Sequence, residues 1–377
     1  MRILMVSDVY FPRINGVSTA IDTYRRTLLD EGIEVRLVAP DYGEGQVDEE
    51  WIRRVPSRQV PLDPEDRIMQ WSPLLEAVAD EASRCELIHI QTPFLAHYAA
   101  VKVAKAMNLP LVSSYHTLFE DYFKHYIRFL PASWLKALAR RISRNQCNAV
   151  DSVIAPSRAL ERRLREYGVS RPIQVLPTGI PLSRFNSGDG KRFRLQHGID
   201  EGRPVALFVG RVAHEKNIGF LLESVDIIRR RMPEVLLVIT GQGPAEAHLK
   251  AEVARRALQE NVLFVGYLDR ARELPDCYAA ANAFVFASRT ETQGLVLIEA
   301  MAMGVPVVAL SSMGTTDILE AQRGAMVPDD DPEAFAITLA GLFGDPDLQA
   351  RLAQEAREHA RLWDETQLAK RLAAVYR

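Results

Sequence analysis

Residues 283–309 read Ala283-Phe-Val-Phe-Ala-Ser-Arg-Thr-Glu-Thr-Gln-Gly-Leu-Val-Leu-Ile-Glu-Ala-Met-Ala-Met-Gly-Val-Pro-Val-Val-Ala309. A short aliphatic and aromatic run, Ala283–Phe286, opens the stretch, and a second, Val305–Ala309, closes it. Both are uncharged throughout, as strands covered on two faces must be. Between them lies a polar turn ending at Gly294, then an apolar run to Gly304, which reads as a helix bracketed by glycines. Strand, helix and strand in that order form a parallel crossover unit. A chain built from such units is an α/β protein.

Working outward, the same alternation recurs on both sides. Upstream of the midpoint the strand-like runs are Ile3–Val6, Glu34–Val38, Leu87–Ile90, Leu109–Ser113, Ser152–Ala155 and Gln174–Leu176. The later half repeats it with Val205–Val209, Val235–Ile239, Val262–Val265, Ala283–Phe286, Val305–Ala309 and Gly324–Val327. Two such series predict two doubly wound parallel sheets, with ligands expected beyond the carboxyl ends of the strands. A length of 377 residues agrees with two domains rather than one core. The Pro177–Phe185 stretch, punctuated by Pro177, Gly179 and Pro181, reads as the linker. The expected division is 1–180 for the first domain, 181–355 for the second, and 356–377 as a terminal helix crossing back to the first. Asp331-Pro332-Glu333 and Asp345-Pro346-Asp347 each predict a capped helix start.

Composition excludes several classes. A net charge of −3 gives no global reason to expect nucleic acid as a partner. Cys85, Cys147 and Cys277 are far apart and odd in number, which predicts reduced thiols and no zinc site. No uncharged apolar run approaches the roughly 18 residues that span a bilayer, and the run at Ile3–Val6 is too short for a secretory leader. The expectation is a cytoplasmic protein.

Chemistry is sought at the strand ends. Glu291 stands just before the turn at Gly294, and Glu299 on the helix that follows, among Leu297, Ile298, Ala300 and Met301. A helix starting at a glycine aims unpaired N–H groups at an anion. Carboxylates on both sides of such a site suit a ligand with hydroxyls flanking its phosphates, as in a nucleotide sugar. Gly210-Arg211-Val212-Ala213-His214-Glu215-Lys216-Asn217 follows the first strand of the second half. Arg211 there can grip phosphate oxygens as a fork while Lys216 acts as a point charge. Gly16, in the turn Phe11–Ser18, would let a phosphate approach a helix start closely. It is not a G-x-G-x-x-G fingerprint, so no nicotinamide or flavin cofactor is expected. His116 lies just beyond a strand and can hydrogen-bond a reacting sugar; His89, also at a strand end, reads as structural. From Tyr122 to Val150 the chain carries Lys124, Arg128, Lys136, Arg140, Arg141 and Arg144 and no acidic residue. Trp134, Leu138 and Ile142 recur beside them, and Phe119, Tyr122, Phe123, Tyr126 and Phe129 precede them. A basic amphipathic helix of this kind suits an anionic membrane surface, and packing on its own domain is the plain alternative. Asp329-Asp330-Asp331 reads as a capping loop rather than a metal site.

Taken together, these residues resemble the family 4 retaining glycosyltransferases of the GT-B fold, over nearly the whole chain. The block Glu291 to Glu299 matches the family's E-x7-E motif. Gly210-Arg211 with Glu215-Lys216, Asn15-Gly16-Val17, Ala155-Pro156-Ser157 and Thr178-Gly179-Ile180 match in the family's order. The resemblance implies two Rossmann-like domains facing a central cleft, with the first binding acceptor and the second the donor. It implies that Arg211 and Lys216 hold the donor diphosphate and that Gly16 closes on it. Glu291 would contact the sugar, the backbone of Gly294 and Leu295 would help hold sugar and phosphate, and Glu299 would bind the ribose. Gly266-Tyr267-Leu268 would lie along the base, with His116 near the transferred sugar. Neither metal nor cofactor is implied. His116-Thr117-Leu118-Phe119-Glu120-Asp121-Tyr122 is most similar to glycosyltransferases that make glucosyl-diacylglycerols, although Phe119 replaces an expected tyrosine or methionine. Met313-Gly314-Thr315-Thr316 likewise lacks the family's usual second glycine.

The expected reaction is hexose transfer with net retention from a nucleotide-diphosphate sugar, UDP-glucose first and GDP-mannose second. The acceptor is a hydroxyl, for instance that of a membrane lipid such as diacylglycerol, which would place the protein on the inner face of the membrane. A nucleotide-sugar epimerase, a phosphorylase and a non-catalytic binding subunit are the alternatives on the same fold.

Overall fold

The computed structural model describes residues 1–43, 46, 49–60, 63–116, 132–270 and 272–377. Phe119, Tyr122, Phe123, Lys124, Tyr126, Arg128 and Phe129 lie outside these, as does the side chain of Lys136. The described chain forms two compact units, Met1–Gly179 with Glu365–Arg377, and Ile180–Asp364.

In unit 1, β1 (Arg2–Val6), β2 (Glu34–Pro40), β3 (Ile52–Val55), β6 (Leu87–Ile90), β7 (Leu111–Ser114), β8 (Ser152–Ala155) and β9 (Ile173–Val175) build a seven-stranded sheet in the order β3-β2-β1-β6-β7-β8-β9. Every pairing in it is parallel. Its centre is dry: Ile3, Leu4, Met5 and Val6 are all fully buried. The crossovers include α1 (Gly16–Asp30), α2 (Trp71–Ala82), α3 (Leu95–Met107), α4 (Ala132–Asn148) and α5 (Arg158–Glu166). Three elements were not foreseen, β3 and the antiparallel hairpin β4 (Ser57–Val60) and β5 (Asp63–Met69). Edge and hairpin strands tolerate charge, so Arg53, Arg54 and the Asp63-Pro-Glu-Asp-Arg67 run hid them from a search for apolar runs. Strand β7 starts at Leu111 because Pro110 has no N–H to donate.

Unit 2 repeats the plan with β10 (Val205–Val209), β11 (Leu236–Thr240), β12 (Val262–Gly266), β13 (Ala283–Phe286), β14 (Val307–Ala309) and β15 (Ala325–Met326). They are ordered β12-β11-β10-β13-β14-β15 and all parallel. Its helices are α6 (Gly190–Gln196), α7 (Ile218–Ile228), α8 (Glu246–Arg255), α9 (Glu273–Ala279), α10 (Leu295–Ala302), α11 (Thr315–Leu319), α12 (Pro332–Phe343) and α13 (Pro346–Ala360). Asp331 and Asp345 cap α12 and α13, accepting from Ala334 and Leu348 N–H at 2.9 Å each.

The last helix, α14 (Glu365–Tyr376), packs in unit 1 against α1. The return is made at Glu365 and not at residue 356. His359 Nε2 bonded to Ile318 O at 2.9 Å and the Arg357 guanidinium lying over Gly304 keep the intervening residues with unit 2. Helix α14 is then tied down by Arg26, which donates to both oxygens of Glu365, and by the Tyr376 hydroxyl against His89 Nδ1 at 2.6 Å.

Candidate active site

In each sheet the strand order reverses once, between β1 and β6 in unit 1 and between β10 and β13 in unit 2. Loops leaving neighbouring strands at a reversal run to opposite faces and open a crevice between them. Gly16 follows β1 at the first, and Arg211, Lys216 and Glu291 follow β10 and β13 at the second, whereas His116 and Tyr267 follow β7 and β12.

In unit 2 the loop after β10 is set by close backbone approach. A side chain at Gly241, whose φ is +115°, would put a Cβ 2.0 Å from Gly210 O, and only glycine fits. Gly210 N and Val212 N then donate to Thr240 O and Gln242 O at 3.1 and 3.0 Å. The chain next makes a short 3-10 turn, His214–Lys216, and reverses at Asn217 with φ +55°. Asn217 Nδ2 donates to Ala287 O at 3.1 Å, and Ser288 Oγ donates to Glu215 O at 3.2 Å. These bonds stitch the loop after β10 to the loop after β13. Lys216 is thereby brought onto Glu291, with which it forms an ion pair.

Glu291 is held from behind as well. Its carbonyl accepts from Gly314 N at 2.8 Å, and a Cβ on Gly314 would strike Thr292 O at 2.0 Å. Met313 ahead of it takes φ +51°, a left-handed conformation that glycine adopts more readily. The next turn ends at Gly294, also left-handed at φ +94°, from which α10 starts with Leu295. Leu297 N of that first turn donates to Gly294 O at 3.0 Å, and the N–H groups ahead of it adjoin the loop that carries Glu291. Arg211 is exposed at the end of β10. Tyr267 follows β12 with half its surface exposed, while Leu268 is buried. Asp330 of the acidic run pairs with Arg289, and among the described residues no three His, Cys, Asp or Glu side chains cluster to hold a metal ion.

Glu299 sits one helical stretch further on α10, and only 2% of it is exposed. A carboxylate at that depth needs donors. It has two, from two other elements: the Arg270 guanidinium in the loop after β12, and the Tyr278 hydroxyl of α9 at 2.9 Å. Its charge raises the pKa of Arg270, while burial first and Glu299 second drive the Tyr278 phenol well above its ordinary value. Neither partner was foreseen. Arg270 lies in an irregular loop, and Tyr278 reads as one more apolar-face aromatic.

Unit 1 carries Gly16 and His116. Asn15 caps α1, its side chain accepting from Ser18 N at 2.9 Å, and Gly16 follows with nothing within 4 Å of where a Cβ would stand. At the β1/β6 reversal, Thr92 Oγ1 donates to Asp8 at 2.7 Å while accepting from Asp8 N, and Ala96 N at the start of α3 donates to the same carboxylate. Burial nonetheless pushes Asp8 up to about 6. Asp8 was not foreseen; its one signal was its place at a strand end. His116 follows β7 and faces Gln91 Oε1 at 3.3 Å. Burial lowers His116 to about 4 and His89 to about 3. His89 is fully enclosed between Tyr376 and Ser114, which makes it structural.

On α4, Trp134 and Leu138 are 74% and 44% exposed, and Arg140, Arg141 and Arg144 are exposed on the same helix. No helix among the described residues is long and apolar enough to cross a membrane.

Two doubly wound parallel sheets of this kind are the architecture of the GT-B class of glycosyltransferase. The Anabaena protein HepE, solved with UDP, superposes with a TM-score of 0.78 at 18% identity, covering 100% of this chain and 99% of its own. Sucrose-phosphate synthase from Thermosynechococcus elongatus gives 0.78 at 20% identity, covering 100% and 98%. The model for "Glycosyl transferases group 1" matches residues 189–359, and that for "Glycosyltransferase Family 4" matches residues 14–184. The alpha-monoglucosyldiacylglycerol synthase of Streptococcus pneumoniae is 31% identical over 367 residues, covering 94% of this chain and 81% of its own length. Sulfoquinovosyl transferase SQD2 of Arabidopsis thaliana is 28% identical over 374 residues, covering 96% and 70%. The chain belongs to glycosyltransferase family 4 and is an enzyme of that kind.

Proposed function

We propose that this glycosyltransferase moves glucose from UDP-glucose to the hydroxyl of a membrane lipid, diacylglycerol in the first instance, with retention at the anomeric carbon. The observation that carries the reading is the Lys216–Glu291 ion pair at the β10/β13 reversal. A diphosphate arriving there competes for Lys216. The carboxylate it releases then accepts from sugar hydroxyls, so one exchange engages both ends of a nucleotide sugar. Exposed Arg211 adds a fork for the same phosphates, and the first turn of α10 adds backbone N–H groups at Gly294 and Leu295. Glu299 reads the ribose, Tyr267 and Leu268 flank the base, and Gly16 leaves room for a phosphate at the start of α1.

In the transfer, the acceptor oxygen bonds to the anomeric carbon on the face the diphosphate leaves. The carbon–oxygen bond to phosphate breaks, and the departing phosphate takes the acceptor's proton. Arg211 and Lys216 stabilise the charge that builds on it. No metal and no cofactor takes part. His116, held neutral by burial at ordinary pH, is suited to hydrogen-bonding the sugar and not to delivering a proton from a cationic ring. The lipid acceptor is supported by the printed activity of the pneumococcal relative. It is supported also by α4, where exposed Trp134 and Leu138 beside three arginines match the interfacial zone of an anionic bilayer. The protein then works at the inner face of the membrane.

The test is transfer of labelled hexose by purified protein to diacylglycerol in phosphatidylglycerol liposomes, with UDP-glucose and GDP-mannose compared and the anomer read by NMR. Transfer from GDP-mannose alone overturns the donor. An inverted product overturns the stereochemistry, and glucose appearing only on soluble acceptors overturns the lipid. Liposome sedimentation unchanged after Arg140, Arg141 and Arg144→Gln removes the membrane contact.

A further inference from the structure

The carboxylate of Glu299 is almost entirely enclosed, and its two oxygens are held by donors from different elements. Arg270 comes from the loop that follows β12 and bonds Oε1. Tyr278 comes from α9 and bonds Oε2 at 2.9 Å, with its hydroxyl also 3.4 Å from Val296 O on α10 itself. Two donors on the two oxygens fix both the position and the plane of a carboxylate, which a single partner leaves free to rotate. That matters for one kind of ligand above others. A vicinal diol presents two O–H groups at a set spacing, and a carboxylate accepts both only when its plane is aligned with them.

Building on the reading that Glu299 meets the ribose, we propose that Arg270 and Tyr278 are positioning residues that align Glu299 with the 2′ and 3′ hydroxyls of the donor. The arrangement differs from ordinary burial of an ion pair in two respects. Arg270 keeps about a third of its side-chain surface exposed, on a loop beside Tyr267. Tyr278 is fully buried. One partner is enclosed and the other is partly open to solvent. Ligand discrimination at Glu299 is then set by three elements, α10, α9 and the loop after β12.

The experiment compares binding of UDP with binding of 2′,3′-dideoxy-UDP by calorimetry, in the full-length wild type and in Glu299→Ala, Arg270→Met, Arg270→Lys and Tyr278→Phe. Wild type should favour UDP by about tenfold or more, the size of a hydrogen-bond pair to a charged group, and Glu299→Ala should bind the two alike. Arg270→Met should bring the preference below about threefold, Tyr278→Phe should lower it by a smaller factor, and Arg270→Lys should restore part of it. A structural role alone would lower the melting temperature while leaving the ratio intact, so full preference in both Arg270→Met and Tyr278→Phe overturns the proposal. Where Arg270→Met does not fold, Tyr278→Phe decides, since it keeps the ring and removes only the hydroxyl. No preference in wild type, or one that Glu299→Ala leaves in place, overturns instead the assignment of Glu299 to the ribose.

Discussion

The two strand reversals are built alike and finished with opposite chemistry. In unit 2 the crevice is lined by ions that neutralise one another, Lys216 with Glu291 and Arg270 with Glu299. In unit 1 the corresponding edge is a chain of buried hydrogen bonds with no ion pair among them, the Asp8 carboxylate with Thr92 and Ala96, and the neutral imidazoles of His89 with Tyr376 and Ser114 and of His116 with Gln91. Ion pairs can change partners when a charged ligand arrives. Buried neutral hydrogen bonds have no such alternative and hold shape instead. The difference is between an edge whose charges can exchange partners and one whose hydrogen bonds hold shape.

The largest effect should fall on the exchangeable pair. Lys216→Met should lower kcat/KM by about 10²–10³-fold, on the order of 3–4 kcal/mol of transition-state stabilisation. Steady-state kinetics with UDP-glucose checks it, and an unchanged value breaks the contrast outright. Next comes the backbone cradle of unit 2. Gly241→Ala forces a Cβ against Gly210 O at φ +115°, and should cost about 2–3 kcal/mol in denaturant unfolding, with donor binding lost as well.

Acid should sharpen the comparison through unit 1. The folded value of His89 lies near 3 against 6.5, so its contribution is present above 6.5 and is lost as pH falls toward 3. The expected slope is roughly 1.4 kcal/mol per pH unit for such a group. His97 and His116, each lowered to about 4, act in the same direction. Asp8 opposes them: raised to about 6, it contributes stability that is present at low pH and lost as pH rises through 6. His89→Gln cannot titrate and should flatten the fall of the melting temperature between pH 6.5 and 4.5, whereas a slope equal to wild type would place the acid sensitivity elsewhere. The smallest effect on stability belongs to Gly16→Ala. Open space surrounds that position, so unfolding should shift by no more than about 0.5 kcal/mol. Transfer should nevertheless fall on the proposed reading, in which a phosphate approaches the start of α1 at that glycine.

Much of this was legible in the chain because buried parallel strands leave a strong mark. Runs such as Val205–Val209 and Ala283–Phe286 are uncharged and bounded by turn residues, and both appear as strands with those limits. Strands at an edge or in a hairpin carry charges on their wet side, which is why β3, β4 and β5 were missed. Glu299 could be singled out because a carboxylate in an apolar helix demands a partner. Which partner it has depends on tertiary contact, and nothing in the pattern of residues 267–272 ties Arg270 to a helix nearly thirty positions away. His89 is structural, and its bond to Tyr376 spans 287 positions and leaves no local trace.

That last bond bears on how the protein is made. Helix α14 belongs to unit 1, yet ribosomes deliver it only after all of unit 2. Until then β6 lacks the hydroxyl that receives His89, and Arg26 lacks Glu365. Unit 1, begun first, is therefore completed only by residues that follow the whole of unit 2.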